Sequence, residues 1–182
     1  MDNKPKLLLH ICCVGCGVYV SQLLEQDYEV MLFFYNPNIW PAEEYGKRLV
    51  EAEKVAKQFD LAIIKGDYEH EEWFKEVRGH ENDPERGERC LICYKFRLEK
   101  AFKKAEELNC DYLTTTLTTS PHKDALAINK IGNELAASYN IKFLNQDFKK
   151  QDGFKKSSAL SRELGLYRQN YCGCEFSKSR NP

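Results

Sequence analysis

Five short strand-like runs recur along this chain, at residues 6–11 (KLLLHI), 29–35 (EVMLFFY), 61–65 (LAIIK), 111–116 (DYLTTT) and 141–144 (IKFL), separated by stretches with helical spacing. The first of them is almost continuously apolar. A strand reads this way when both of its faces are covered. Residues 18–24, 71–78, 90–108, 124–138 and 157–163 read as helices. The stretch 45–59 does so most clearly, with Tyr45, Leu49, Ala52, Val55, Ala56 and Phe59 spaced by three and four. This order predicts an α/β fold: a doubly wound parallel sheet of about five strands with helices on both faces. No linker, repeat or low-complexity tract interrupts the 182 residues, so one domain over 1–182 is expected.

In such sheets ligands bind beyond the carboxyl ends of the strands, where strand order reverses. The cysteines fall there. Of eight, seven form three groups: Cys12, Cys13 and Cys16; Cys90 and Cys93; Cys172 and Cys174. Cys110, alone at the start of a strand-like run, reads as a buried small residue. The first group follows strand one, where Gly15 and Gly17 punctuate a turn. Cys90 and Cys93 are placed on the first turn of their helix, with i, i+3 spacing on one face. Unpaired N–H groups at two helix N-termini would favour thiolates there.

Cys12, Cys13, Cys90 and Cys93 make an all-sulfur site, which fits zinc or an iron–sulfur cluster. Adjacent cysteines are unusual in a zinc knuckle, and a domain with its own core needs no zinc staple, so the cluster is favoured. Cys172-Gly-Cys174 lies in a Tyr/Gly-rich stretch after the last helix. A CxC disulfide closes a very small ring, and strained disulfides tend to be labile or catalytic. The pair therefore reads as redox-active or as further metal ligands.

The turn after strand one, CCVGCG, contains no GxxxxGK[ST], GxGxxG or Ser-Gly-Gly phosphate loop, which disfavours tightly bound ATP or NAD. His10, inside an apolar strand, is expected to be a satisfied core histidine. Residues 114–123 (TTTLTTSPHK) place Ser120, His122 and Lys123 at the sheet's carboxyl edge, where they suit phosphate or ribose contacts. From residue 141 to 182 there are nine Lys/Arg against four acids, a net +5 in a chain of net charge −1. A basic face of this kind suits a polyanion docked in one orientation. Lys149, Lys150, Lys155, Lys156 and Arg168 are its candidate phosphate contacts, and Tyr167 and Tyr171 its candidate stacking platform. No apolar run is long enough to cross a bilayer, and the N-terminus lacks signal-peptide features, so a cytoplasmic location is expected.

Taken together, residues 10–16 (HICCVGC), 89–94 (RCLICY) with Arg97-Leu98, 114–123, 147–150 (DFKK) and 166–174 (LYRQNYCGC) closely resemble the QueH-type epoxyqueuosine reductases, almost end to end. One departure is visible: the family's first motif usually reads Cys-Cys-Ala-Pro-Cys, and here it is Cys-Cys-Val-Gly-Cys. The resemblance implies an adenine nucleotide α-hydrolase-like (HUP-like) fold without its ATP loop. It implies cobalamin-independent reduction of epoxyqueuosine to queuosine in the tRNA anticodon loop. It further implies a [4Fe-4S] cluster on Cys12, Cys13, Cys90 and Cys93, a redox-active disulfide between Cys172 and Cys174, and an external electron donor. A second metal, iron, held partly by Cys16 is an additional expectation. Ser120, His122, Lys123, Arg168 and Tyr171 are expected on the substrate, with a tail from about residue 165 to 182 folding back on the site. The competing expectation is a zinc- or cluster-containing tRNA-binding or tRNA-thiolation protein; thiolation would require the ATP loop that is missing.

Overall fold

Alternation within a single strand sorts the core into two halves. In the computed structural model, which describes residues 4–178, the central strand β1 (Lys6–Ile11) sends Leu7, Leu9 and Ile11 to one face of a sheet. Leu8 goes to the other face, against Phe33, Leu113 and Phe102. Period-two geometry dictates the split, and helices over both faces explain why the run is apolar throughout.

The remaining elements are α1 (Val14–Leu24), β2 (Glu29–Phe34), α2 (Ala42–Gln58), β3 (Ala62–Lys65), α3 (His70–Glu76) and α4 (Glu88–Glu107). They are followed by β4 (Tyr112–Thr115), a 3-10 turn (Thr116–Thr119), α5 (Ala125–Ala136), β5 (Lys142–Phe143), α6 (Gly153–Glu163) and α7 (Glu175–Lys178). All strand pairs are parallel, in the order β3-β2-β1-β4-β5. Residues of α1, α2 and α6 pack on the face of Leu7 and Leu9, and those of α4 and α5 on the face of Leu8. The expected doubly wound architecture is therefore present, with its switch point between β1 and β4.

Three boundaries differ from expectation. Helix α1 begins at Val14, not 18, because Gly15 and Gly17 serve packing and do not break it. A Cβ at Gly17 would stand 3.2 Å from Ile11 Cγ2, and one at Gly15 would stand 2.0 Å from Ser161 Oγ. These glycines let α1 lie close on β1 and α6. Strand β4 stops at Thr115, whose hydroxyl accepts the Leu117 N–H at 3.2 Å and so starts the 3-10 turn. Beyond the last long helix the tail is not wholly irregular, since α7 closes it. His10 meets its expectation: it is fully buried, with Nδ1 2.8 Å from Thr115 Oγ1 and Nε2 3.0 Å from the Tyr35 carbonyl oxygen. Cys110 is likewise a buried core residue.

No helix among the described residues is long and apolar enough to cross a membrane. Arg180, counted in the basic segment, lies outside the described residues.

Candidate metal centre

The carboxyl ends of β1 and β4 are joined where strand order reverses. The Cys12 N–H donates to the Thr116 hydroxyl at 3.3 Å, and the two side chains stand 3.7 Å apart. A cavity of about 460 Å³ opens above this point. Cys12, Cys13, Cys16, Cys90, Cys93, Cys172 and Cys174 all line it, as do Ser120, His122, Lys123, Arg168 and Tyr171. These residues thus face one space, although the three cysteine groups are separated by some eighty residues each along the chain; the candidate phosphate contacts Lys149, Lys150, Lys155 and Lys156 are not part of its lining.

Two helix starts contribute. Cys13 is the N-cap of α1 and Cys16 lies in its first turn. Cys90 is the third residue of α4, and its sulfur accepts the Arg86 backbone N–H at 3.3 Å. Since α4 starts at Glu88, Cys93 falls on its second turn, not its first; the shared face is preserved because i, i+3 neighbours still align.

Five of the thiols, those of Cys12, Cys13, Cys90, Cys93 and Cys174, have their pKa pushed upward. Burial raises the pKa of both Cys90 and Cys93. For Cys12 the Cys13 thiol is the largest cause, with burial adding to it. At Cys13 the Cys12 thiol works to lower the pKa, but Cys16 and burial outweigh it, leaving about 11. Burial, then Cys93 and Cys172, push Cys174 up to about 12. Lys123 is the cationic counterpart. Burial would lower its pKa, but Cys172 and Cys12 outweigh that and raise it. Thiols this reluctant to ionise become thiolates when a cation binds them.

Among the described residues, no three Cys, His, Asp or Glu side chains stand close enough to enclose a single ion. All eight cysteines are free, so Cys172 and Cys174 form no disulfide in this structure. Two buried donors beside the thiols, Trp73 Nε1 and Arg97 Nε, make no hydrogen bond within normal distance. Both residues line the cavity. An all-sulfur donor set, room for more than one atom and unsatisfied N–H groups beside it fit an iron–sulfur cluster, whose sulfurs accept hydrogen bonds.

Sequence reasoning gave no role to several residues that shape this space. Arg97 is buried and donates through Nη2 to Asn36 Oδ1. Its position four residues after Cys93, on the cysteine-bearing face of α4, was the available signal. Buried Arg89 donates through Nη1 to the carbonyls of His80, Glu81 and Asp83, at 3.1, 2.9 and 2.7 Å, and so organises the polar loop before α4. Arg86 ties that loop to the β4 side, donating to the carbonyls of Pro121 (2.7 Å) and His122 (3.1 Å). Arg48 and Phe154 also line the cavity and carried no local signal at all.

Comparison with known proteins identifies the family and the fold. The family model described as epoxyqueuosine reductase QueH matches residues 7–180. An epoxyqueuosine reductase QueH of Streptococcus pyogenes is 37% identical over 180 residues, covering 96% of this chain and 71% of its own. The protein of that name from Thermotoga maritima is 38% identical over 174 residues, covering 94% of this chain and 89% of its own. A U34-tRNA thiolase, NcsA of Methanococcus maripaludis, solved with its [4Fe-4S] cluster, superposes with a TM-score of 0.58. It covers 97% of this chain and 62% of its own, and at 12% identity the likeness is one of fold. With its family match running nearly end to end, the chain belongs to the epoxyqueuosine reductase QueH family of oxidoreductases.

Proposed function

We propose that this protein reduces epoxyqueuosine to queuosine in the anticodon loop of tRNA, with Cys12, Cys13, Cys90 and Cys93 holding a [4Fe-4S] cluster and Cys172 and Cys174 as a dithiol–disulfide pair. The observation that carries this reading is the convergence of all seven clustered cysteines on one cavity at the sheet's switch point. When bound, the cluster supplies electrons singly. The cysteine pair is the proposed store of both electrons that the reaction consumes. Two thiols yield two electrons and two protons as their S–S bond forms; both C–O bonds of the epoxide break, leaving an alkene and one water. An external donor then returns the disulfide to the dithiol. Cys16 lines the same cavity and could contribute to a second metal, iron, which would polarise the epoxide oxygen.

Lys123, Ser120 and His122 are the polar groups proposed to hold the substrate. Ser120 also accepts the His122 N–H at 3.2 Å, so its hydroxyl orients the rim. Lys150, Lys155, Lys156 and Arg168 are exposed and suited to phosphates. Lys149 is less so, because its ammonium donates to the Lys123 carbonyl at 3.3 Å and stands 3.5 Å from Asp147. For the stacking platform, Tyr171 is already engaged, with its hydroxyl donating to the Trp40 carbonyl at 2.8 Å. Phe154 is 40% exposed, lines the cavity and adjoins Lys155, which makes it the additional candidate for a splayed-out base.

The direct test is turnover. Anaerobically prepared protein with a chemical reductant should convert epoxyqueuosine-containing tRNA to product one oxygen lighter, read by nucleoside mass spectrometry; tRNA recovered unchanged sinks the proposal. Docking is tested separately by a salt series. Affinity for tRNA should fall steeply with ionic strength, and removing one phosphate-contacting lysine should reduce the slope by about one. Phe154→Ala should weaken tRNA binding by about 1–3 kcal/mol without changing that slope. Salt-independent affinity would exclude the basic face as the docking surface.

A further inference from the structure

The segment carrying Cys172 and Cys174 is held in place by one face of α2. Glu44, Arg48 and Glu51 follow i, i+4, i+7 spacing, which puts them in line along a helix. Arg48 and Glu44 are both buried, and Arg48 Nε donates to Glu44 Oε1 at 2.7 Å. Arg48 spends its other two nitrogens on the tail: Nη1 donates to the Cys172 carbonyl at 3.1 Å and Nη2 to the Tyr171 carbonyl at 3.3 Å. Its guanidinium also lies 5.3 Å from the centre of the Tyr171 ring. Glu44 uses its second oxygen to accept the Tyr167 hydroxyl at 2.8 Å, and Glu51 accepts the Tyr167 N–H at 3.2 Å. On the far side the Trp40 N–H donates to the Gly173 carbonyl at 2.8 Å.

A burial of this kind is costly unless every charge finds a partner. Here the partners are backbone carbonyls on either side of the cysteine, so the arginine fixes the direction of the chain at the residue that must face the cavity. The guanidinium's planar fork holds two successive carbonyls in a fixed geometry, where a lysine's freely rotating ammonium would leave their direction open. Gly173 completes the arrangement. Its φ is +112°, and a Cβ there would stand 2.9 Å from Ile39 Cγ1 and 3.1 Å from Arg48 Nη1.

We propose that Arg48, with Glu44 as its counter-ion, is the positioning residue of the redox-active tail, setting the place of the Cys172 thiol in the cavity. This rests on the reading of Cys172 and Cys174 as the redox pair. Arg48 touches neither reacting thiol; it acts through the backbone that carries them.

The test combines Glu44→Gln with Arg48→Gln, so that no unpaired buried charge remains. In cluster-loaded protein, turnover should fall by roughly tenfold to a hundredfold, as expected for misplacement of a reacting group. KM for tRNA and the cluster's visible spectrum should stay as in the wild type. The alkylation rate of Cys172 in the reduced, folded protein should rise. Gly173→Ala should do the same by pushing the tail off Arg48 without altering α2, and it decides the matter if the double variant does not fold. Wild-type turnover and alkylation in a folded variant overturn the proposal, as does a raised KM at unchanged kcat. Normal turnover by Cys172→Ser would instead overturn the redox reading, and the alkylation rates would still report on Arg48.

Discussion

Cys93→Ala, prepared without oxygen, is expected to be nearly colourless where the unaltered protein is brown with about four irons and four labile sulfides per chain. Cys93 is buried at the cavity wall against Trp73 and Val77, and its substitution by Ala removes one of the four sulfurs assigned to the cluster. Cys90→Ala should act alike, although Cys90 is only half-buried and a residual fraction of colour is more readily retained. Cys110→Ala is the control. That thiol belongs to the core between α4 and β4, remote in role from the cavity, and its loss should leave the colour unchanged. Absorption spectroscopy with iron and sulfide analysis reads all three. If one zinc fills the site and iron does not reconstitute, the assignment of these four cysteines to a cluster is wrong.

Cys174→Ser should keep the full spectrum and lose turnover down to the background of cluster-free protein. The substitution is nearly isosteric and leaves the local backbone supported, since the Cys174 carbonyl accepts both the Ser177 N–H (3.0 Å) and the Ser177 hydroxyl (2.7 Å). What it removes is the second sulfur, without which Cys172 cannot close a disulfide and two-electron storage is lost. Thiol trapping and mass spectrometry should find Cys172 and Cys174 linked in oxidised wild-type protein and both free after reduction. Loss of the spectrum in Cys174→Ser would make this cysteine a ligand and not a redox partner.

Much of the architecture was legible because it is periodic. Residues 7–11 and 30–34 announce strands covered on both faces, and the spacing of Tyr45 to Phe59 announces α2. The clustered cysteines could be identified as one chemical set because thiols in adjacent pairs have few other uses. Two misreadings share a cause. Gly15 and Gly17 look like turn residues, yet they sit within α1, where a neighbour approaches too closely for a Cβ. The 3-10 turn after β4 looks like more strand, because three threonines suit either conformation and the hydroxyl of Thr115 decides between them.

The sequence by itself determined the order of strands and helices, the two apolar faces of the sheet, and the cysteines available to a metal, since each depends on residue type and local spacing. Only the tertiary structure decided that Arg48 of α2 holds the backbone at Cys172, that Trp73 and Arg97 leave unsatisfied N–H groups beside the thiols, and that Phe154 stands at the rim. The physical reason is the same in each case. A buried donor or an exposed ring has its meaning from the partner opposite it, and strand pairing and helix packing choose that partner; for Arg48 it lies 124 residues away, a distance over which no local pattern carries information.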